Sequence, residues 1–218
     1  MNQPEQMDAS MPLTKCSLPP TRLASPLRMP SPVSTLHIHA PGDPLRAEVE
    51  SYIRQRYQER FGARLNEWLP TLVSVQTNGE IIAAAGYRGA ETPLFLERYL
   101  AAPIEQYLRD EDAPVARRLI VEAGQFAAVR PGAGRLLVPL LARHLHQQGY
   151  SWAVSTLTRE LHHLFARMGL AHQPISAATA HHLDEKTRSD WGNYYAHAPQ
   201  VFAGRLHTIV ERFQEIEA

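Results

Sequence analysis

The residues with the clearest chemical potential lie at the boundary Ala128 to Arg135, where a β-rich run gives way to a helix-forming one. Val129-Arg130-Pro131-Gly132-Ala133-Gly134-Arg135 spans that boundary. Gly132 and Gly134 lack side chains, so a ligand can come close to the backbone. The first turn of a helix presents unpaired N–H groups and roughly half a positive charge, which suits a pyrophosphate. Arg130 and Arg135 would add charge-assisted contacts. Val129, Arg130, Gly132, Ala133, Gly134 and Arg135 are therefore the candidate cofactor-binding residues. The dinucleotide fingerprint G-x-G-x-x-G is not met, because Leu137 stands at its last position, and no P-loop Gly-Lys-Ser/Thr occurs.

Other chemistry is poorly supplied. His144 and His146 sit two apart in a helical stretch, and His162-His163 and His181-His182 are adjacent pairs, all poor spacings for metal ligands. No metal is expected. The single cysteine, Cys16, lies in a proline-rich segment, and no G-x-S-x-G elbow exists to activate a serine.

The elements that must position the turn are legible from periodicity. Leu36 and Ile38 alternate with His37 and His39 as in a half-buried strand. A helix is expected from Asp43 as N-cap and Pro44 at N1, with Val49, Tyr52, Ile53, Tyr57 and Phe61 on one face and Gly62 as its stop. Thr71 to Thr77 and Glu80 to Tyr87 flank Asn78-Gly79, a strong hairpin signal. Pro103 to Arg109 suggests a short helix. Arg117 to Ala128 reads as a long strand with a bulge at Gly124. Next come a helix from Gly132 to Gln148, a strand from Trp152 to Thr156, and a helix from Arg159 to Met168 stopped by Gly169. The C-terminus reads as helix from Gly204, with Val201, Phe202, Leu206, Ile209, Val210 and Phe213 forming an apolar stripe. This mixture indicates an α+β or α/β sandwich, helices packed on a sheet.

Composition bounds the partners. The chain has 218 residues, 22 Lys plus Arg and 22 Asp plus Glu, so its formal charge is zero. Zero charge argues against general nucleic-acid binding, which needs a surplus of cations. No apolar stretch approaches the ~20 residues of a membrane helix. Seven of the 17 prolines fall before Ser34, among serines and threonines, so residues 1–34 read as a disordered leader and 35–218 as one domain. One cysteine fits a reducing compartment, and the cytoplasm is the expected location.

Strand, G-x-G-x-x-L helix, strand, then a helix ending Phe165-Ala-Arg-Met-Gly169-Leu170 resembles the acyl-CoA half of the GNAT N-acyltransferase superfamily, over Arg117 to Leu170. That resemblance implies a mixed, mostly antiparallel sheet with helices on both faces. It also implies a pantetheine arm lying between two splayed strands, with the pyrophosphate capping the helix. Two positions depart from the pattern: Val129 stands where Gln or Arg is common, and Phe165 where a tyrosine often serves as general acid. A second resemblance covers nearly the whole domain. Phe95 to Glu105, Ile120 to Gln125, the Gly-Ala-Gly-Arg turn and Asp190-Trp-Gly-Asn-Tyr-Tyr195 resemble the thermostable haemolysin family, which is similar in layout to the acyl-homoserine-lactone synthases. Gln125 stands where that family more often has Asn.

The resemblance implies acyl transfer from acyl-CoA, or from the acyl-pantetheine of an acyl carrier protein, to the amine of a small molecule. Glu122, in mid-strand beside the implied thioester, is the candidate catalytic base, with a structural hydrogen-bonded glutamate as the equal alternative. Arg88 and Glu97 are candidates for binding the polar end of an acceptor such as an amino acid, or form a simple ion pair. Trp191 and Tyr195, with Tyr194, are candidates for lining an acyl pocket, or pack as an ordinary aromatic cluster. A membrane-lytic protein, as the family name suggests, and a GNAT-like protein that only binds a ligand are the competing readings. The acidic residues Glu211, Glu215 and Glu217 on the C-terminal stretch count against binding to an anionic bilayer.

Overall fold

The computed structural model describes residues 35–110, 113–129 and 132–217. β1 (Thr35–His39) leads into α1 (Arg46–Phe61), and β2 (Thr71–Thr77) and β3 (Glu80–Gly89) form the hairpin. Asn78 and Gly79 carry φ values of 53° and 82°, the left-handed pair that matches a two-residue turn to the strand twist. Two short 3₁₀ turns follow, Phe95–Tyr99 and Ile104–Tyr107, then a minimal antiparallel pair, β4 (Arg109–Asp110) and β5 (Ala113–Pro114). β6 (Ile120–Ala128), α2 (Ala133–Gln147), β7 (Trp152–Leu157) and α3 (Arg159–Arg167) succeed one another. β8 (Gln173–Ala177), α4 (Glu185–Asp190), β9 (Gln200–Arg205) and α5 (Leu206–Glu217) complete the chain.

The main sheet runs β1-β2-β3-β6-β7-β9-β8. Among the described residues β6 and β7 make its one parallel pairing; the others are antiparallel. Alternation along the strands divides the core. Val73, Val75, Ala83, Ala85, Val121 and Ala123 face α2 and α5, while Leu72 and Ala84 face Val49, Ile53 and Tyr57 of α1. Helices therefore cover both faces, as expected. α2 is fixed by Leu137, Leu141 and Leu145, spaced four apart and at most 3% exposed. Truncating one of them to alanine would cost about 2–5 kcal/mol.

Several expectations need correction. α1 begins at Arg46, not behind Asp43; the Asp43 carboxylate instead accepts from the Leu45 N–H at 2.8 Å, closing a turn ahead of the helix. The stretch from Pro103 is a single 3₁₀ turn that ends at Tyr107, and Arg109 pairs in β4. Arg117–Leu119 is a 3₁₀ turn, so the long strand starts at Ile120. Val201 and Phe202 are not helical. They belong to β9, a strand between β7 and β8, and the helix starts at Leu206. α5 then buries Leu206, Ile209 and Phe213 in the cluster it shares with α2.

Candidate active site

The site begins with a break in hydrogen bonding. β6 and β7 pair only through Ile120–Glu122 with Trp152–Val154. β6 continues to Ala128 on β3, and β7 continues to Leu157 on β9. The strands thus part beyond Glu122 and Val154, toward the end where α2 starts. A bulge in β6 helps to open them. The pairing passes from Ala84 with Ala127 to Gly86 with Gly124, so Ala85 faces two residues, Gln125 and Phe126. The bulge lies one residue beyond the expected Gly124, and Gln125 takes the left-handed φ of 54°. A non-glycine residue there costs roughly 1–2 kcal/mol. Its side chain offsets the strain: the Leu69 N–H donates to its Oε1 at 3.2 Å, and its Nε2 donates to the Glu67 carbonyl at 2.8 Å. The extra residue shifts the phase, so Phe126 packs against the cluster that holds Val121 and Ala123 while Ala127 joins that of α1.

A cavity of about 200 Å³, partly open to solvent, lies on the α1 side of this gap. Glu122, Ala123, Gly124 and Gln125 from β6 and Thr156 from β7 border it. Six aromatic residues line it: Tyr57, Trp68, Phe95, Tyr99, Trp191 and Tyr194. Arg64, Glu67 and Lys186 form an exposed rim. The wall from α4 and the turn after it is held against α1 by backbone bonds. The Arg64 N–H donates to the Asp190 carbonyl at 2.6 Å, and the Asn193 N–H to the Phe61 carbonyl at 2.8 Å. Gly192 makes that approach feasible: it has φ 54°, and a Cβ there would stand 2.2 Å from the Phe61 oxygen.

Glu122 is 5% exposed at the border of the cavity. The Phe95 N–H donates to its Oε2 at 2.9 Å and the Leu96 N–H to its Oε1 at 3.0 Å. Arg88 Nε lies 3.4 Å from Oε2 without forming a hydrogen bond, and an Arg88 Nη1 donates to the Pro93 carbonyl at 3.3 Å. Burial pushes the Glu122 carboxyl above the ordinary range, against the pull of the Phe95 N–H, the Arg88 charge and the Leu96 N–H. A carboxylate raised toward neutrality and facing a cavity can accept a proton from an amine. Arg88, which also lines the cavity, keeps donors for an anionic group. Among the described residues the buried Thr156 Oγ1 has no hydrogen-bond partner.

The other predicted residues divide. Trp191 lines the cavity. Tyr195 does not; its hydroxyl bonds to that of Tyr99 at 2.6 Å, and Tyr194 lines the cavity instead. Glu97 is also outside it. Its carboxylate accepts from the Leu94 and Ile104 N–H groups, each at 3.0 Å, and from Arg117 at 2.6 and 3.1 Å. Burial alone would raise the Glu97 carboxyl, but Arg117 and the two amides hold it down at about 2. Arg88 and Glu97 thus form no joint acceptor site.

The described residues of the turn after β6, Val129 and Gly132 to Arg135, do not line the cavity. Gly132, with φ 107°, caps α2; Ala133 begins the helix and is buried, and Arg135 is exposed. Val129 is exposed too, but its N–H is taken by the Ile82 carbonyl at 3.0 Å. A side chain on Gly134 would meet Leu164 of α3 at 3.3 Å, so this glycine also serves helix packing. Arg130 lies outside the described residues. Phe165 packs edge-on against Phe126 at 5.8 Å and brings no hydroxyl. Tyr57, Thr156, the loop Arg64 to Leu69, and Lys186 were not foreseen as parts of one site. The Asp190 to Tyr195 motif was the signal that pointed nearest to them.

The family model described as thermostable hemolysin matches residues 39–210. This chain belongs to the thermostable haemolysin family. Among curated proteins, no sequence matches this family member. Among solved structures its fold is similar to FeeM, an N-acyl amino acid synthase from uncultured soil microbes, at 13% identity, over 84% of this chain and 96% of that one, with a TM-score of 0.57. It is similar to BjaI, a CoA-dependent acyl-homoserine lactone synthase with SAM and isopentyl-CoA bound, at 15% identity, over 82% and 86%, with a TM-score of 0.55. LasI, another acyl-homoserine lactone synthase, matches at 16% identity over 81% and 91%, with a TM-score of 0.53. Identities this low establish a shared fold: the haemolysin-family chain has the mixed, mostly antiparallel GNAT-like architecture.

Proposed function

We propose that this protein transfers an acyl group from a pantetheine thioester to the amine of a small acceptor. The observation that carries the reading is the gap between β6 and β7, which opens beside a buried glutamate and an aromatic cavity. An acyl-CoA or the acyl-pantetheine of a carrier protein would thread that gap, with its phosphates at the first turn of α2 near Gly132 to Arg135. Glu122 would take the proton from the attacking amine. Arg88 would hold a negatively charged part of the acceptor. Trp191, with the other aromatic residues, would enclose the apolar parts of the substrates. Residues 35–218 act as one domain in this account. The reaction belongs in the cytoplasm, where such thioesters are made.

Two features weigh against lysis of membranes. Among the described residues no helix is long and apolar enough to cross a membrane, and the apolar side of α5 is already buried on α2. The test is calorimetric titration with CoA. Saturable binding is expected, weakened roughly 10- to 150-fold by Arg135→Ala, the loss of one charged hydrogen bond. Gly134→Val is a poorer probe, since it also disturbs Leu164. Unchanged binding in Arg135→Ala would move the phosphates elsewhere.

A further inference from the structure

Acyl transfer from a thioester needs a proton at sulfur as well as a base at nitrogen, and Phe165 cannot supply one. We infer that Tyr194 is the general acid that protonates the departing thiolate. This inference rests on the acyl-transfer reading above and adds the residue that completes it.

The position argues first. The cavity touches both arms of the gap, at Gly124 and Gln125 on β6 and at Thr156 on β7. A thioester that threads the gap to reach Glu122 passes between these arms. The Tyr194 hydroxyl lies on the β7 arm, 3.5 Å from the Thr156 carbonyl. That distance is the outer limit of a hydrogen bond, so little holds the O–H there against a better acceptor.

The alternatives on the same wall are fewer than the number of tyrosines suggests. The Tyr99 hydroxyl is engaged with Tyr195 at 2.6 Å. Tyr57, which also lines the cavity, stacks on Tyr194 at 6.4 Å between ring centroids, and Phe61 meets Tyr194 edge-on at 5.1 Å. These rings, with Trp191 at 4.8 Å, fix the Tyr194 phenol on the wall. Burial keeps the phenol protonated. Its O–H is therefore present to hydrogen-bond the sulfur as charge builds there.

The step balances. The amine nitrogen attacks the thioester carbonyl carbon and loses a proton to Glu122. The C–S bond breaks, its electron pair goes to sulfur, and the Tyr194 O–H gives sulfur its proton. The proton on Glu122 returns to the tyrosinate through water. An amide and a free thiol result, with no other reactant.

Leaving-group dependence tests this. The probes are the octanoyl thioesters of N-acetylcysteamine and of thiophenol, with a mixture of amino acids as acceptors. An alkyl thiolate needs the acid; a thiophenolate, a far weaker base, hardly does. Tyr194→Phe should lower kcat on the alkyl ester about 10²-fold and on the aryl ester only a few-fold. The ratio of the two rates within one sample is independent of the fraction folded, so a less stable variant still answers. An equal loss on both esters, or none, would overturn the role of Tyr194 while leaving acyl transfer intact. No turnover of either ester by the wild type would overturn both.

Discussion

Two glutamates draw hydrogen bonds from the same short stretch of backbone and end in opposite states. Glu97 receives the Leu94 and Ile104 amides and is clamped by Arg117, which also holds Glu105 at 2.6 Å and the Ala90 carbonyl at 2.6 Å. Glu122 receives the next two amides, Phe95 and Leu96, but its cation, Arg88, stands off at 3.4 Å. The first carboxylate is saturated and held far below the usual range. The second is buried, incompletely paired, and pushed up. A full set of partners makes a carboxylate a fastener; burial with one partner withheld suits it to the proposed role of base. The two are also connected, because the fastener fixes the turn whose amides hold the base.

Removing the proposed base should have the largest effect. Glu122→Gln is expected to lower kcat/KM for acyl transfer about 10²- to 10⁴-fold, measured by thiol release. Breaking the fastener acts on the fold instead. Arg117→Met should cost roughly 3 kcal/mol in urea unfolding, because it leaves Glu97 and Glu105 half-buried without their cation. Its loss of activity should be smaller than that of Glu122→Gln.

Acidification separates the pair by sign. Glu97 is depressed by folding, so the stability it contributes is present above about pH 4.5 and is lost as pH falls toward about 2. Glu122 is raised, so folding favours its protonated form, and the stability gained from that form is lost as pH rises through its folded pKa. Its base form disappears as pH falls through that same value. Activity should therefore fade at a higher pH than the one at which the fold begins to weaken. Coincident activity and unfolding midpoints would remove the distinction. The smallest effect belongs to the proline-rich residues 1–34: their deletion should shift Tm by no more than about 1–2 °C.

Much of this frame was legible in the sequence, for identifiable reasons. Asn78-Gly79 specified its hairpin locally, and the helix read from Gly132 to Gln148 is α2, with those two residues as its caps. β9 was not legible, because Val201-Phe202-Ala203 is buried on both faces and runs straight into α5, so a helical stripe fits the same letters. The bulge was anticipated at Gly124 because glycine marks such bends. Gln125 takes the strained position because two hydrogen bonds from the distant Glu67–Leu69 loop compensate it. Glu122 was legible as a candidate, whereas the split between its environment and that of Glu97 was not. Arg117 lies 20 residues from Glu97, and only the folded chain brings it there. The cavity was hidden for the same reason, since its walls come from two loops joined by backbone bonds between Arg64 and Asp190 and between Asn193 and Phe61.

The most direct test of the central claim is a product assay on the full chain. Octanoyl-CoA and an octanoyl carrier protein are each incubated with a mixture of amino acids, and products are identified by mass spectrometry. The account predicts N-octanoyl amides and free thiol in equal amounts from at least one donor, both abolished by Glu122→Gln. Free octanoate without amide, or no turnover of either donor, would contradict it.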